Sequence, residues 1–224
     1  MGGPRGFAKL VPSYRHRQLG VTLEADDVAE RMFRSWAQLM DEEKMAFDSP
    51  EAEQAMRQQA ADLVRAYLAY APTFEKPLAV EVAAEAPLVD PVTGKDLGTP
   101  LVGIIDLVLD YEEGPLITDF KTAARSSEPM EITYEIQLSS YAYLFRQASR
   151  WPESRLEIRS LIKTKVPKIE FHSYPARTEA HFRRLFSVIR EYLDALDAGR
   201  FNYRPGFGCG MCDFRENCRA WCGQ

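Results

Sequence analysis

No cysteine precedes Cys209; the four in the chain, Cys209, Cys212, Cys218 and Cys222, fall in its last sixteen positions. In a reducing compartment, cysteines clustered this way bind metal more often than they form disulfides. No apolar run approaches the roughly 20 residues that span a bilayer, which removes transmembrane transport and anchoring by a spanning helix. The first residues, MGGPRGFAKLVPSYRHRQLG, are basic but lack the apolar stretch of a signal peptide. The expected product is soluble and cytoplasmic, with no membrane partner. A basic surplus is also missing: net charge is −5, which does not advertise nucleic-acid binding. The cations are nevertheless grouped. Arg5, Lys9, Arg15 and Arg17 crowd the start, Lys163, Lys165 and Lys168 crowd a later segment, and the acidic surplus lies mostly between residues 24 and 53. An acidic protein binds nucleic acid when its basic groups converge on one face and its acidic pocket holds a divalent metal. There is no internal repeat and no low-complexity linker.

What is present is enough apolar residue, 46% of 224, for one sizeable core with a small appended module. Val28, Met32, Trp36 and Leu39 recur at helical spacing and predict an amphipathic helix over 24–46. Ser49 is a predicted N-cap with Pro50 behind it, starting a helix that runs to about Tyr70. Strands are predicted over 78–89, 100–111 and 116–122, separated by the turn-forming DPVTGKDLG and EEGP, as an antiparallel meander. A helix over 130–149, strands over 155–165 and 168–174, and a long amphipathic helix over 178–199 follow, with Gly199 as its C-cap. The class is mixed α/β, a central sheet flanked by helices. The expected divisions are an N-terminal helical region over 1–74, a core over 75–200 and a cysteine-bearing tail over 201–224.

The sharpest chemistry lies in GIIDLVLDYEEGPLITDFKTA. Asp119 and Lys121 are two apart on a predicted strand, so both project from one face. Asp106 sits on the preceding strand across a short turn. Two carboxylates can then converge beside a lysine, with Ile104, Ile105, Leu107, Leu116, Ile117 and Phe120 packing the strands. Carboxylate oxygens suit hard cations such as Mg²⁺ or Mn²⁺. A bound metal activates water and offsets charge on phosphate, and an ammonium beside it stabilises the transition state of phosphodiester hydrolysis. Alone, a D-x-K pair in a strand is more often a surface ion pair. Asp106 adds weight, as do Gln137 and Tyr141, four apart and so on one helix face, where they can hydrogen-bond a phosphate or a base.

G-x-x-D, then D-F-K-T, then Q-x3-Y, then C-x2-C-x5-C, in this order, resembles the RecB-like, iron–sulfur branch of the PD-(D/E)XK nucleases. That branch includes nuclease domains of bacterial recombination helicase–nucleases and CRISPR-associated adaptation nucleases. LIKTKVPKIE, a long helix, then AGRFNYRPGFGCGMC is similar to stand-alone RecB-family exonucleases. The likeness covers roughly residues 75–222. It implies a restriction-endonuclease-like core and a DNA exonuclease that uses Mg²⁺ or Mn²⁺ on single-stranded or free ends, in repair, recombination or DNA processing. A helicase, repair or CRISPR partner is part of the same expectation. The resemblance assigns Asp106 and Asp119 to the metal, Lys121 to catalysis, and Gln137 and Tyr141 to DNA contact and order in the site. The Phe120 carbonyl is implied as a further metal contact, and Glu81 stands where such proteins carry a glutamate on the first strand. Two features depart from it. His16, the one early histidine, lies in SYRHRQLG rather than G-x-x-x-H, and no counterpart of the family's first cluster cysteine precedes Cys209, as though the chain began after the segment carrying both. These departures leave open a catalytically weakened, nuclease-like DNA-binding module.

The spacing C-x2-C-x5-C-x3-C is compatible with Zn²⁺ or an iron–sulfur cluster. The resemblance makes Cys209, Cys212 and Cys218 three ligands of a 4Fe-4S cluster. Cys222, one helical turn past Cys218, is the candidate fourth, in place of the absent N-terminal cysteine.

Overall fold

The computed structural model describes residues 11–42, 47–126, 131–200, 206, 209–210 and 212–221. In chain order the elements are α1 (Val11–Gln18), α2 (Ala25–Arg34), α3 (Trp36–Glu42), α4 (Pro50–Tyr70), β1 (Lys76–Val89), β2 (Asp96–Asp110), β3 (Leu116–Ala123), α5 (Glu131–Ser149), β4 (Arg155–Ile162), β5 (Lys168–Pro175), α6 (Glu179–Asp197) and α7 (Arg215–Trp221). The chain divides into two compact units, Met1–Phe182 and Arg183–Gln224.

Local chemistry explains the N-terminal helices. The helix predicted over 24–46 is two helices, with residues 43–46 outside the described set. Ser35 turns its hydroxyl back onto the Arg31 carbonyl at 2.9 Å and leaves the helical backbone region (φ −95°, ψ 8°), so α2 stops at Arg34. Ser49 caps α4 as expected: its Oγ accepts the Ala52 N–H at 3.2 Å, and Pro50 stands at the first helical position. VPSYRHRQ carries no apolar periodicity, and α1 is a helix that the sequence did not signal.

The five strands lie in the order β1-β2-β3-β4-β5. β1, β2 and β3 form the expected antiparallel meander. β3 and β4 are parallel along their whole length, from Leu116 beside Arg155 to Ala123 beside Ile162, and β5 returns antiparallel. A parallel neighbour cannot be reached through a tight turn, and the intervening α5 supplies the crossover. The result is a mixed sheet flanked by helices, the expected class.

Period-two alternation sorts the sheet's two faces. Leu107, Leu109, Leu116, Phe120 and Leu161 join Val28, Ala29 and Met32 of α2 and Leu63, Val64 and Tyr67 of α4 in one buried cluster. Each such Leu contributes about 1.5–3 kcal/mol on burial. Phe120 points into this cluster, so Asp119 and Lys121 on either side of it project from the opposite face. A buried polar knot ties the helices to the sheet. The Arg159 guanidinium pairs with Glu75 and Glu157, both at 2.6 Å, and donates to the hydroxyls of Tyr14 on α1 (3.1 Å) and Tyr67 on α4 (2.5 Å). Burial pushes the Tyr67 hydroxyl up to about 12 and also raises that of Tyr14. Both therefore stay neutral partners of the cation.

The second unit contains α6 from Arg183 onward, a left-handed Gly199 (φ +60°) that closes the helix as expected, and α7.

Candidate active site

Backbone pairing between β2 and β3 covers only Leu107–Leu109 against Leu116–Thr118, with Leu107 opposite Thr118. The next residues outward are Asp106 and Asp119. At this point the ladder stops, and the Asp106 side chain takes over: its Oδ2 accepts the Phe120 N–H at 2.9 Å. The strands are thus held together by a carboxylate where two carboxylates meet. Asp119 is 1% exposed. The Lys121 Nζ lies 2.7 Å from its Oδ2, and that buried oxygen accepts no hydrogen bond besides this ion contact.

From Lys121 a connected chain runs into α5. The ammonium donates to Gln137 Oε1 at 2.8 Å, and Gln137 Nε2 donates to the Tyr141 hydroxyl at 3.0 Å. The one-turn spacing of Gln137 and Tyr141 puts both on this face. Tyr134, one turn earlier, places its ring 5.6 Å from the Lys121 Nζ, a cation–π contact that fixes the ammonium from another side. Gly103 lets α5 come this close. A Cβ there would meet Leu144 Cδ1 at 2.8 Å and Tyr141 Cε1 at 3.9 Å. The first letter of G-x-x-D leaves room for the Leu144 side chain on the helix that carries Gln137 and Tyr141.

The electrostatics agree with this geometry. Burial raises the Asp119 carboxyl to about 6; the Lys121 charge opposes the rise and the Asp106 charge adds to it. Burial, then the charges of Asp119 and Asp106, push the Tyr141 hydroxyl up to about 12, which keeps it a neutral O–H. Two carboxylates, Asp106 and the buried Asp119, share one ammonium, Lys121, which leaves the pair with a net negative charge. Its hard oxygens fit Mg²⁺ or Mn²⁺.

Other expected residues fall elsewhere. Glu81 is on β1 between Val80, opposite Leu107, and Val82, opposite Ile105, hence across from Asp106. Its backbone is left-handed (φ +49°), a strained state for glutamate, and its carboxylate pairs with Arg15 of α1 at 3.4 Å. Phe120 packs its ring against Tyr67 and Tyr14, with centroids 5.4 and 6.5 Å away. Ile104, expected to pack the strands, is 50% exposed; Ile105 beside it is buried. Among the described residues no group of three or more His, Cys, Asp or Glu is disposed to hold a metal. His16, half-buried on α1, therefore does not complete a three-ligand set with Asp106 and Asp119. Nor do the described cysteines form such a set. Cys209 and Cys212 are exposed, Cys218 on α7 is partly covered, and Cys222 lies outside the described residues.

Tyr134 and the spacing role of Gly103 are the parts of the site that motif reading missed. The signal for Tyr134 was present, three residues before Gln137 on the same helix face.

A profile of the PD-(D/E)XK nuclease superfamily matches residues 10–219. Among solved structures, the "Putative exonuclease" of Eubacterium rectale is similar over 88% of this chain and 75% of its own, at 13% identity and a TM-score of 0.49. The protein SSO0001 is similar over 94% of both chains, at 16% identity and a TM-score of 0.46. No curated protein matches the chain. With the family match spanning nearly its whole length and the described sheet and helices in accord with it, the chain belongs to the PD-(D/E)XK nuclease superfamily.

Proposed function

We propose that the chain is a metal-dependent deoxyribonuclease of the RecB-like branch, an exonuclease that hydrolyses single-stranded DNA from its ends in repair, recombination or DNA processing. The observation that carries this reading is the pair Asp106 and Asp119 at the point where β2 and β3 part, with Lys121 2.7 Å from the buried Asp119 oxygen. Asp106 and Asp119, with the Phe120 carbonyl, would hold Mg²⁺ or Mn²⁺, which supplies an activated water and offsets charge at phosphorus. Lys121, braced by Gln137 and Tyr134, keeps a fixed positive charge beside the reacting phosphate, where a preorganised donor is worth most. Tyr141, held neutral, offers its O–H to a phosphate oxygen, and Gln137 keeps lysine and tyrosine in one arrangement. Residues 75–200 form the nuclease core of this reading, and residues 1–74 the helical region before it.

The reading extends to the tail: Cys209, Cys212, Cys218 and Cys222 bind a 4Fe-4S cluster, with Zn²⁺ the competing occupant. Support comes from the thiolate chemistry and the spacing. Anaerobic reconstitution of wild type and Cys222→Ser, with iron and sulfide assayed, separates these cases. Colourless, zinc-loaded protein replaces the cluster with zinc, and unchanged iron in Cys222→Ser removes that residue from the ligand set.

Linear and circular single strands incubated with Mg²⁺ or Mn²⁺ test the activity. Short products from the linear strand and an intact circle are expected. A cut circle contradicts the exonuclease reading, and binding without cleavage of either strand favours a DNA-binding module instead.

A further inference from the structure

Beyond Lys121 the ends of three strands carry cations. The β3–β4 register sets Lys121 beside Ser160 and Ala123 beside Ile162, and the Lys163 N–H donates to the Ala123 carbonyl at 2.8 Å. Arg125, just past β3, is therefore brought next to the β4–β5 connection, which with the first residue of β5 carries Lys163, Lys165 and Lys168. At about 3.3 Å per residue, Lys163 stands roughly 10 Å along the sheet from the level of Lys121.

Segments 121–126 and 160–169 hold Lys121, Arg125, Lys163, Lys165 and Lys168 and no Asp or Glu, in a chain where acids outnumber Lys and Arg by 33 to 28. Among the described residues no ion pair neutralises Arg125, Lys163, Lys165 or Lys168. The nearest acid in sequence, Glu170, is engaged by the Ser126 hydroxyl and lies 3.6 Å from His172. The hairpin is held in shape. Thr164 donates its N–H to Ile162 and its hydroxyl to Val166 at 2.7 Å, and Ser126 ties the segment after β3 to β5. Val166 at the tip is 73% exposed, so the hairpin end faces solvent. Ordinary solvated charge is interspersed in sign. Here four cations beyond the site lysine face one described carboxylate, Glu170, and such an excess of one sign on a braced hairpin is the pattern of a backbone-binding surface.

We infer that the β3 end and the β4–β5 hairpin form a phosphate track, in which Arg125, Lys163, Lys165 and Lys168 grip the DNA strand on one side of the phosphate held at Lys121. This track rests on the nuclease reading for its substrate.

The test is binding by Asp119→Asn protein, which retains DNA uncut, to a labelled single strand over a range of salt. Adding Lys165→Ala and Lys168→Ala is expected to weaken binding about tenfold and to lower the slope of log K against log salt by about 1.4, at roughly 0.7 per lost single-strand phosphate contact. Lys165→Arg with Lys168→Arg should restore both. In the otherwise wild-type enzyme, the alanine pair should leave hydrolysis of bis(p-nitrophenyl) phosphate, too small to reach the hairpin, unchanged. Equal affinity and slope with and without the lysines overturns the track, as does absence of DNA binding. The two readings fail separately. Lysine-dependent binding by a protein whose wild type cleaves nothing sinks the nuclease and keeps the track, and cleavage indifferent to the lysines does the reverse.

Discussion

At Asp119, burial and the neighbouring Asp106 outweigh the lysine, and the carboxyl rises from 3.8 to about 6. A raised carboxyl stabilises the fold in its protonated form. Its contribution is complete below about pH 4 and is lost as pH climbs through 6. With divalent ions chelated, Asp119→Asn should therefore be more stable than wild type above pH 7, by on the order of 2–3 kcal/mol. The gap should close toward pH 4, as urea unfolding at both pH values would show; a gap independent of pH would contradict the buried, carboxylate-flanked site. Lys121 should tolerate arginine poorly, because the planar guanidinium cannot keep both the Asp119 contact at 2.7 Å and the Gln137 bond at 2.8 Å. Activity falling by tenfold or more in Lys121→Arg, with an unchanged melting temperature, is the expected measurement. The D-x-K pair was readable because strand alternation alone places both side chains on one face. Tyr134 shares the helix face of Gln137 in the sequence, but that spacing gives it no role until its ring is placed 5.6 Å from the Lys121 Nζ.

Elements position these residues, and two contacts decide how. Gly103 admits α5, with Leu144 Cδ1 only 2.8 Å from where a Cβ would stand. Gly103→Ala should cost about 1–3 kcal/mol and displace Gln137 and Tyr141 together. Adding Leu144→Val should return part of the activity if the clash is the cause, and no recovery would point away from it. Arg159 fastens α1 and α4 to β4 through Tyr14, Tyr67 and Glu75. Its replacement by methionine strands two carboxylates in the interior, and a loss of about 3–5 kcal/mol is expected in chemical denaturation. The five strands, α4, α5 and α6 were legible from alternation, turn residues, caps and helical period. The knot was not, since a lone arginine in RLEIRSLI gives no hint of partners near the other end of the chain. α1 escaped notice for the same reason: its burial rests on Tyr14 reaching this knot rather than on an apolar stripe. The break at Ser35 was hidden because a serine inside a helical pattern usually passes unnoticed until its hydroxyl is seen on the Arg31 carbonyl.

For the whole molecule, the superfamily follows from a match over residues 10–219, and the mixed sheet is the scaffold on which its chemistry would be set. No described helix is long and apolar enough to cross a membrane. The order of motifs along the chain made the superfamily legible: G-x-x-D lies on β2, D-F-K-T on β3 and Q-x3-Y on α5, the elements around the carboxylates. The cysteine tail was legible only as ligand chemistry, since spacing gives the number of sulfurs and not the metal they hold. The central claim, that Asp106, Asp119 and Lys121 hydrolyse phosphodiesters, is tested most directly by cleavage of linear single-stranded DNA in Mg²⁺ or Mn²⁺. Wild type, Asp119→Ala and Lys121→Ala would be compared after circular dichroism shows that all three are folded. The account predicts metal-dependent cleavage by wild type and a loss of at least about 10²–10³-fold in each variant. Cleavage by either variant at the wild-type rate would contradict it.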